Sequence, residues 1–238
     1  MAHSSDSLFH FTAKEDALIE ILRGSFHPRY VEEADINGKL SKNDAWRFAM
    51  VCFCDIPLSR IQQHTLTYGE YGLGMTKTWG IRKGLNPVAY LALDSYLMDL
   101  IGMLRDSTNK TLRGIENMWD LYAHCKPYFG EMRRGRKKIG GIRFYDEREW
   151  RYVAPKADWI SPGRAKNRKY MAKMNEQLIA TSALNFEPSD VKYIILPRRR
   201  DILPFLKKLD KTMPTRSEND ARTLASKIIT CQDLYSDF

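Results

Sequence analysis

Two carboxylates, Glu147 and Glu149, stand two residues apart in the run YDEREWRYV at residues 145–153. On a strand, Glu147, Glu149 and Arg151 share one face, while Arg148, Trp150 and Tyr152 share the other. Two carboxylates so placed repel one another unless cations offset them. Such a pair can stabilise a cationic, sugar-like transition state and orient a hydroxyl. The competing reading is an edge strand laced by Glu–Arg pairs.

A second set of polar residues lies near the start, in FHFT at residues 9–12. On a short strand His10 and Thr12 face one way and Phe9 and Phe11 the other. A histidine there either donates a hydrogen bond to a ribose or phosphate, or is a satisfied core residue. Cys52 and Cys54 point to one side of an apolar strand, with His64 or the pair His124–Cys125 as further ligand types. No paired Cys-x-x-Cys and no His-Glu-x-x-His accompanies them, so small core cysteines are the commoner explanation and no metal is assigned. The run YGEYGLG at residues 68–74 is not a dinucleotide or P-loop glycine pattern. Its glycines either let something approach the strand backbone closely or mark bulges.

The elements that position these residues follow from periodicity and punctuation. Residues 8–11 read as a strand and the following stretch as a helix. Thr12 and Glu15 form its capping box, Ala17, Leu18, Ile21 and Leu22 its apolar face, and Gly24 its stop. Residues 31–46 read as a loop, and residues 50–54 as a buried strand ended by Asp55 and Pro57. Strands are expected at residues 71–77 and 87–93, with TWGIRKGLNP as the turn between them. Residues 95–128 read as mostly helical, GEMRRGRKKIGG as a basic loop, residues 191–197 as a strand, and the C-terminus as a last helix. This order predicts a mixed α+β fold. The chain of 238 residues reads as one domain with a helical insertion near residues 95–130 and a basic part at residues 131–238.

The net charge is +9, and the positive residues gather in the second half. They form RRGRKK (Arg133, Arg134, Arg136, Lys137, Lys138), PGRAKNRKYMAK and PRRRD. Such clusters suit nucleic acid or an acidic protein partner, or are solvated basic loops. No apolar run approaches the roughly 18–20 residues that cross a bilayer. No signal peptide is legible, and four cysteines do not make a disulfide framework. A cytoplasmic setting is expected.

Taken together, LFHFT…LIEILRGSFHPRY, the segment MVCFCDIPLSRIQQHTLTYGEYGLGMTKTWGIRKGLNPVAYL and EREWRYV resemble the AbiGi family of bacterial abortive-infection proteins. The resemblance covers most of residues 8–155. It implies a role in phage defence. The family's usual label is antitoxin of a two-gene system whose partner resembles a nucleotidyltransferase toxin.

The opening strand and helix are also similar to the entry of the ADP-ribosyltransferase fold, which implies a β core of that kind. On that resemblance His10, with Thr12, holds the ribose of NAD, and Tyr71 or Tyr68 lines the nicotinamide pocket. Glu149 bonds the ribose 2′-hydroxyl and stabilises the oxocarbenium-like transition state, and Glu147 assists the acceptor, a nucleic acid or a protein. The middle Ser-Thr-Ser strand of the arginine-modifying branch is missing, and Arg151 beside Glu149 can neutralise it. The function expected is therefore an NAD-using, ADP-ribosyltransferase-like effector of phage defence; the alternative is a non-catalytic antitoxin that neutralises a nucleotidyltransferase-like toxin partner.

Overall fold

The computed structural model describes residues 5–33, 46–106, 118–134, 137–155, 157–212 and 217–237. The chain begins β1 (Ser7–Thr12), α1 (Glu15–Arg23), β2 (Ser25–Phe26), β3 (Arg29–Glu33) and β4 (Trp46–Cys54). It continues α2 (Ile61–Tyr68), β5 (Tyr71–Thr76), α3 (Lys77–Arg82), β6 (Asn86–Pro87) and β7 (Ala89–Leu91). Then come α4 (Tyr96–Asp106), α5 (Met118–Ala123), β8 (Cys125–Pro127), β9 (Phe129–Arg134), β10 (Lys137–Arg143) and β11 (Glu149–Val153). The last third holds α6 (Pro162–Ala165), α7 (Arg168–Thr181), β12 (Leu184–Asn185) and β13 (Val191–Leu196). It ends α8 (Ile202–Thr212), α9 (Glu218–Ala225), β14 (Ile228–Thr230) and α10 (Cys231–Asp237). The architecture is mixed α+β with mainly antiparallel pairing.

Contacts divide the chain into two compact units, each discontinuous in sequence: residues 1–27, 52–85 and 183–238, and residues 28–51 and 86–182. In the first unit the strand order is β14–β13–β5–β1, with the end of β4 beside β1 through Phe9 and Cys54. Among the described residues of this unit the pairs are antiparallel except β13–β14, which the α8–α9 crossover joins in parallel. Along β1, Leu8, Phe9 and Phe11 are buried. Phe9 and Phe11 pack with Cys54, Ile56, Ile61, Ile195 and Leu234. Phe26, Phe53, Trp79 and Phe186 form an aromatic group, with ring centroids 5.0–6.5 Å apart.

Gly72 and Gly74 in β5 have a definite packing reason. A Cβ on Gly72 would lie 2.7 Å from the Phe11 ring, and one on Gly74 would lie 2.8 Å from the Phe9 ring. What approaches the backbone closely is this pair of stacked rings, 6.1 Å apart.

The second unit pairs β3 with β4, β4 with β11 and β11 with β6. Its core includes Tyr30, Ala49, Ala154, Ile160 and Leu178, the last on α7. Its described strands also include the parallel pair β7–β8 and the hairpin β9–β10.

Several expectations are corrected. Helix α1 starts at Glu15 with Lys14 as N-cap and no side-chain cap, so Thr12 ends a strand and caps nothing. Residues 31–33 belong to β3 rather than a loop, because they pair with residues 46–48 of β4; residues 34–45 lie outside the described residues. Residues 77–82 form α3 rather than a turn, since the Thr76 hydroxyl accepts from the Trp79 N–H at 3.2 Å and caps the helix. The basic stretch is a hairpin, not a loop: Arg134 pairs with Lys137 and Arg133 with Lys138, and a bulge near Gly141 (φ +72°) absorbs the glycines. The expected single last helix is three, α8, α9 and α10, with β14 between the last two. Among the described residues no helix is long and apolar enough to cross a membrane.

Candidate functional site

The carboxylate pair of the sequence sits in the second unit, on a different backbone than a continuous strand. Residues Phe144–Glu147 form a 3-10 turn, Arg148 is left-handed at φ 44°, and β11 begins only at Glu149. Glu147 and Glu149 nevertheless meet on one partner. The Lys126 ammonium on β8 donates to Glu147 Oε2 at 2.6 Å and to Glu149 Oε2 at 2.8 Å. The Arg151 guanidinium, 0% exposed, donates from Nε to Glu149 Oε1 at 2.8 Å and from Nη2 to Glu149 Oε2 at 3.1 Å. Its Nη2 also reaches Glu33 Oε1 at 3.0 Å, and its Nη1 the Ala123 carbonyl at 2.5 Å.

The result is a buried cluster of three carboxylates and two cations. Burial raises the Glu33 pKa above the usual carboxylate range, against the opposing pull of Arg151 and Lys126. Burial also works against the charge on Lys126, but Glu149, Glu147 and Glu33 outweigh it and hold its pKa well above the ordinary lysine value. Backbone contacts fix the frame: the Glu149 N–H donates to the Tyr90 hydroxyl at 2.7 Å, and the Val88 N–H to the Glu149 carbonyl at 2.9 Å. Arranged so, the two cations are shared among three carboxylates, and the network rigidifies the start of β11.

His10, Thr12, Tyr68 and Tyr71 lie in the first unit. His10 Nδ1 donates to the Cys52 carbonyl at 2.8 Å, and its ring lies against Phe26 and Phe53 at 5.3 and 5.6 Å. Burial lowers its pKa, partly offset by that carbonyl, so the ring is neutral at physiological pH. The Thr12 hydroxyl accepts from the Lys14 N–H at 3.5 Å. Tyr68 closes α2 and packs on His64 with ring centroids 4.5 Å apart. Tyr71 opens β5 opposite Thr12; burial, then Glu15 and Asp201, raise its phenol pKa. The structure thus brings His10 together with the aromatic group, and Glu147 together with Glu149, Lys126 and Arg151.

Cys52 is half-buried and Cys54, Cys125 and Cys231 are buried. Burial pushes the Cys231 thiol up to about 11 and raises that of Cys125 as well, so neither is a ready thiolate. Among the described residues, no three His, Cys, Asp or Glu side chains form a group able to hold a metal ion. Asp55, in the distinctive run CFCDIP, is buried and structural: its oxygens accept from the Ser5 N–H and the Lys77 ammonium, both at 2.8 Å.

Of the basic hairpin, Arg133, Arg134, Lys137 and Lys138 lie on the two paired strands, and Arg136 lies outside the described residues. A second basic surface is exposed along α6, α7 and their short connection, with Arg164, Lys166, Arg168, Lys169 and Lys173. Sequence reasoning missed Lys126, Glu33 and Tyr90. Local spacing carries no signal for them, because they come from β8, β3 and β7 to meet β11.

The comparison with known families matches residues 24–197 to the model described as "Putative abortive phage resistance protein AbiGi, antitoxin". The chain is also similar to "Abortive phage resistance protein AbiGi" of Lactococcus lactis subsp. cremoris. The two are 28% identical over 251 residues, covering 90% of this chain and 100% of that protein. No solved structure matches the chain.

Proposed function

The chain belongs to the AbiGi family of abortive phage resistance proteins, and from that premise we propose that it is the antitoxin of a two-gene phage-defence system. In this reading it is a binding protein that neutralises a toxin partner, and it carries out no chemistry of its own. The family description supports this role. The observation that carries it is the state of Glu149, whose two oxygens accept from Arg151 and Lys126 in a site where the residue is 7% exposed. ADP-ribosyl transfer from NAD needs that carboxylate open to a ribose 2′-hydroxyl and negative enough to stabilise an oxocarbenium ion. Here two cations already neutralise it, and His10 spends its Nδ1 proton on the Cys52 carbonyl. As they stand, these residues do not fit an NAD ribose.

The excess positive charge of +9 suits an acidic toxin surface, with α6 and α7 presenting the exposed lysines and arginines. The test is co-expression with the product of the neighbouring gene, followed by co-purification at several salt concentrations. The expected result is relief of toxicity and a complex that weakens as salt rises. Unrelieved toxicity with no complex overturns the reading. A parallel incubation with labelled NAD and phage-infected extract decides the enzyme question. Label transfer by the wild type that Glu149→Gln abolishes would replace the antitoxin with an ADP-ribosyltransferase.

A further inference from the structure

The sequence run PRRRD is absorbed by neither function, and in the first unit it lines a cavity of about 620 Å³. Pro197, Arg198, Arg199 and Arg200 form one wall, Gln232 and Tyr235 of α10 another, and Glu70 completes it. The position has a topological cause. Strands β13 and β14 are the parallel pair, with Ile194 opposite Ile228 and Leu196 opposite Thr230. The arginine turn follows the carboxyl end of β13, and α10 follows the carboxyl end of β14. In open parallel α/β sheets ligands bind in the crevice outside the carboxyl ends of the strands, and this cleft lies at the same end of the single β13–β14 pair.

The wall is built rather than incidental. The Gln232 N–H donates to the Pro197 carbonyl at 3.1 Å, tying the two sides together. The Arg199 Nε donates to Asp233 Oδ1 at 2.6 Å, and Asp233 Oδ2 accepts from the Thr230 hydroxyl at 2.7 Å. That chain aims Arg199, while its side chain stays 74% exposed. Among the described residues Arg198 and Arg200 make no ion pair, so two guanidinium groups stand exposed with their donors available. On the third side the Tyr235 hydroxyl is held by Thr65, and the Glu70 carbonyl accepts from the Cys231 thiol at 3.6 Å.

We propose that this arginine cleft binds a free ribonucleoside phosphate. Arg198 and Arg200 take the phosphate oxygens, because guanidinium forks match phosphate geometry. Glu70 decides between ligand types. A carboxylate in the wall repels a bare polyanion, but it accepts from a ligand that carries hydroxyl donors beside its phosphates, as a ribose does. The inference is independent of the antitoxin reading, since it concerns a different surface and a small ligand.

The experiment is calorimetric titration of the full chain with ADP, 2′,3′-dideoxy-ADP and inorganic pyrophosphate. ADP is expected to bind, the dideoxy analogue more weakly, and pyrophosphate most weakly. Arg198→Ala and Arg200→Ala are each expected to raise the Kd for ADP by about ten-fold or more, as lost charge-assisted hydrogen bonds do. Both side chains are exposed and unpaired, so the free variants should melt with the wild type. Glu70→Gln should weaken ADP while leaving pyrophosphate unchanged or tighter. No heat with any of the three ligands overturns the site, as does an ADP affinity that the double arginine variant leaves unchanged. Pyrophosphate binding more tightly than ADP overturns the assignment of the ribose to Glu70. None of these outcomes bears on toxin neutralisation, which the co-expression test reads separately.

Discussion

Replacing Arg151 by Met removes a side chain that is 0% exposed and donates to two carboxylates and a backbone carbonyl. Met fills much of the volume, so packing loss is small and the change is chiefly electrostatic. Before the substitution the cluster holds Glu33, Glu147 and Glu149 against Lys126 and Arg151; afterwards Lys126 alone faces three carboxylates. Stripping one partner from a buried pair costs about 3–5 kcal/mol. Total stabilities are only about 5–15 kcal/mol, so the loss is easily seen in urea unfolding.

The loss should depend on pH. Glu33 already has a raised pKa in the fold, so its contribution to stability is greatest below its unfolded pKa and fades as pH rises through the folded value. Without Arg151 that pKa rises further, and protonation relieves the repulsion. The destabilisation is therefore expected to be smaller in mildly acidic buffer than in alkaline buffer. Adding Glu33→Gln and Glu149→Gln to Arg151→Met should recover much of it, because a neutral cluster has no stranded charge. A loss under about 1 kcal/mol in the single variant, identical at both pH values, would falsify the account of a buried cluster held by Arg151.

Three other outcomes follow from the packing. Gly72→Ala should destabilise by about 1–3 kcal/mol, since its Cβ meets the Phe11 ring at 2.7 Å; a thermal melt within error of wild type contradicts the close-ring explanation. Asp55→Ala should cost about 3 kcal/mol by stranding the half-buried Lys77 ammonium and the Ser5 N–H, with Asp55→Asn costing less; denaturant midpoints report the order. His10, with its pKa lowered by burial, contributes stability that is present above its unfolded value and lost as pH falls through the folded one. Unfolding free energy should therefore decline on the acid side of the ordinary histidine value of 6.5, and His10→Gln should flatten that decline. An unchanged slope in the variant points to another group.

Local chemistry alone specified a good part of this protein. The alternation of FHF, the apolar run ending at Cys54 and the strand YIIL were legible because period-2 patterns report burial directly, and the family was legible in CFCDIP and YGEYGLGMTKTWG. The helical face of α1 was legible too, through Leu18 and Leu22 one turn apart. Other elements were hidden by their own composition. The glycine and proline of TWGIRKGLNP read as a turn, yet a single threonine cap and a buried Trp79 make α3. The charges of RRGRKK read as a loop, yet cross-strand register makes a hairpin. Whether Glu149 was a free acid or a bound one was decided only in three dimensions. The choice rests on Lys126, Glu33 and Arg151, and residues up to 118 positions apart have no shared period by which a sequence could announce their meeting.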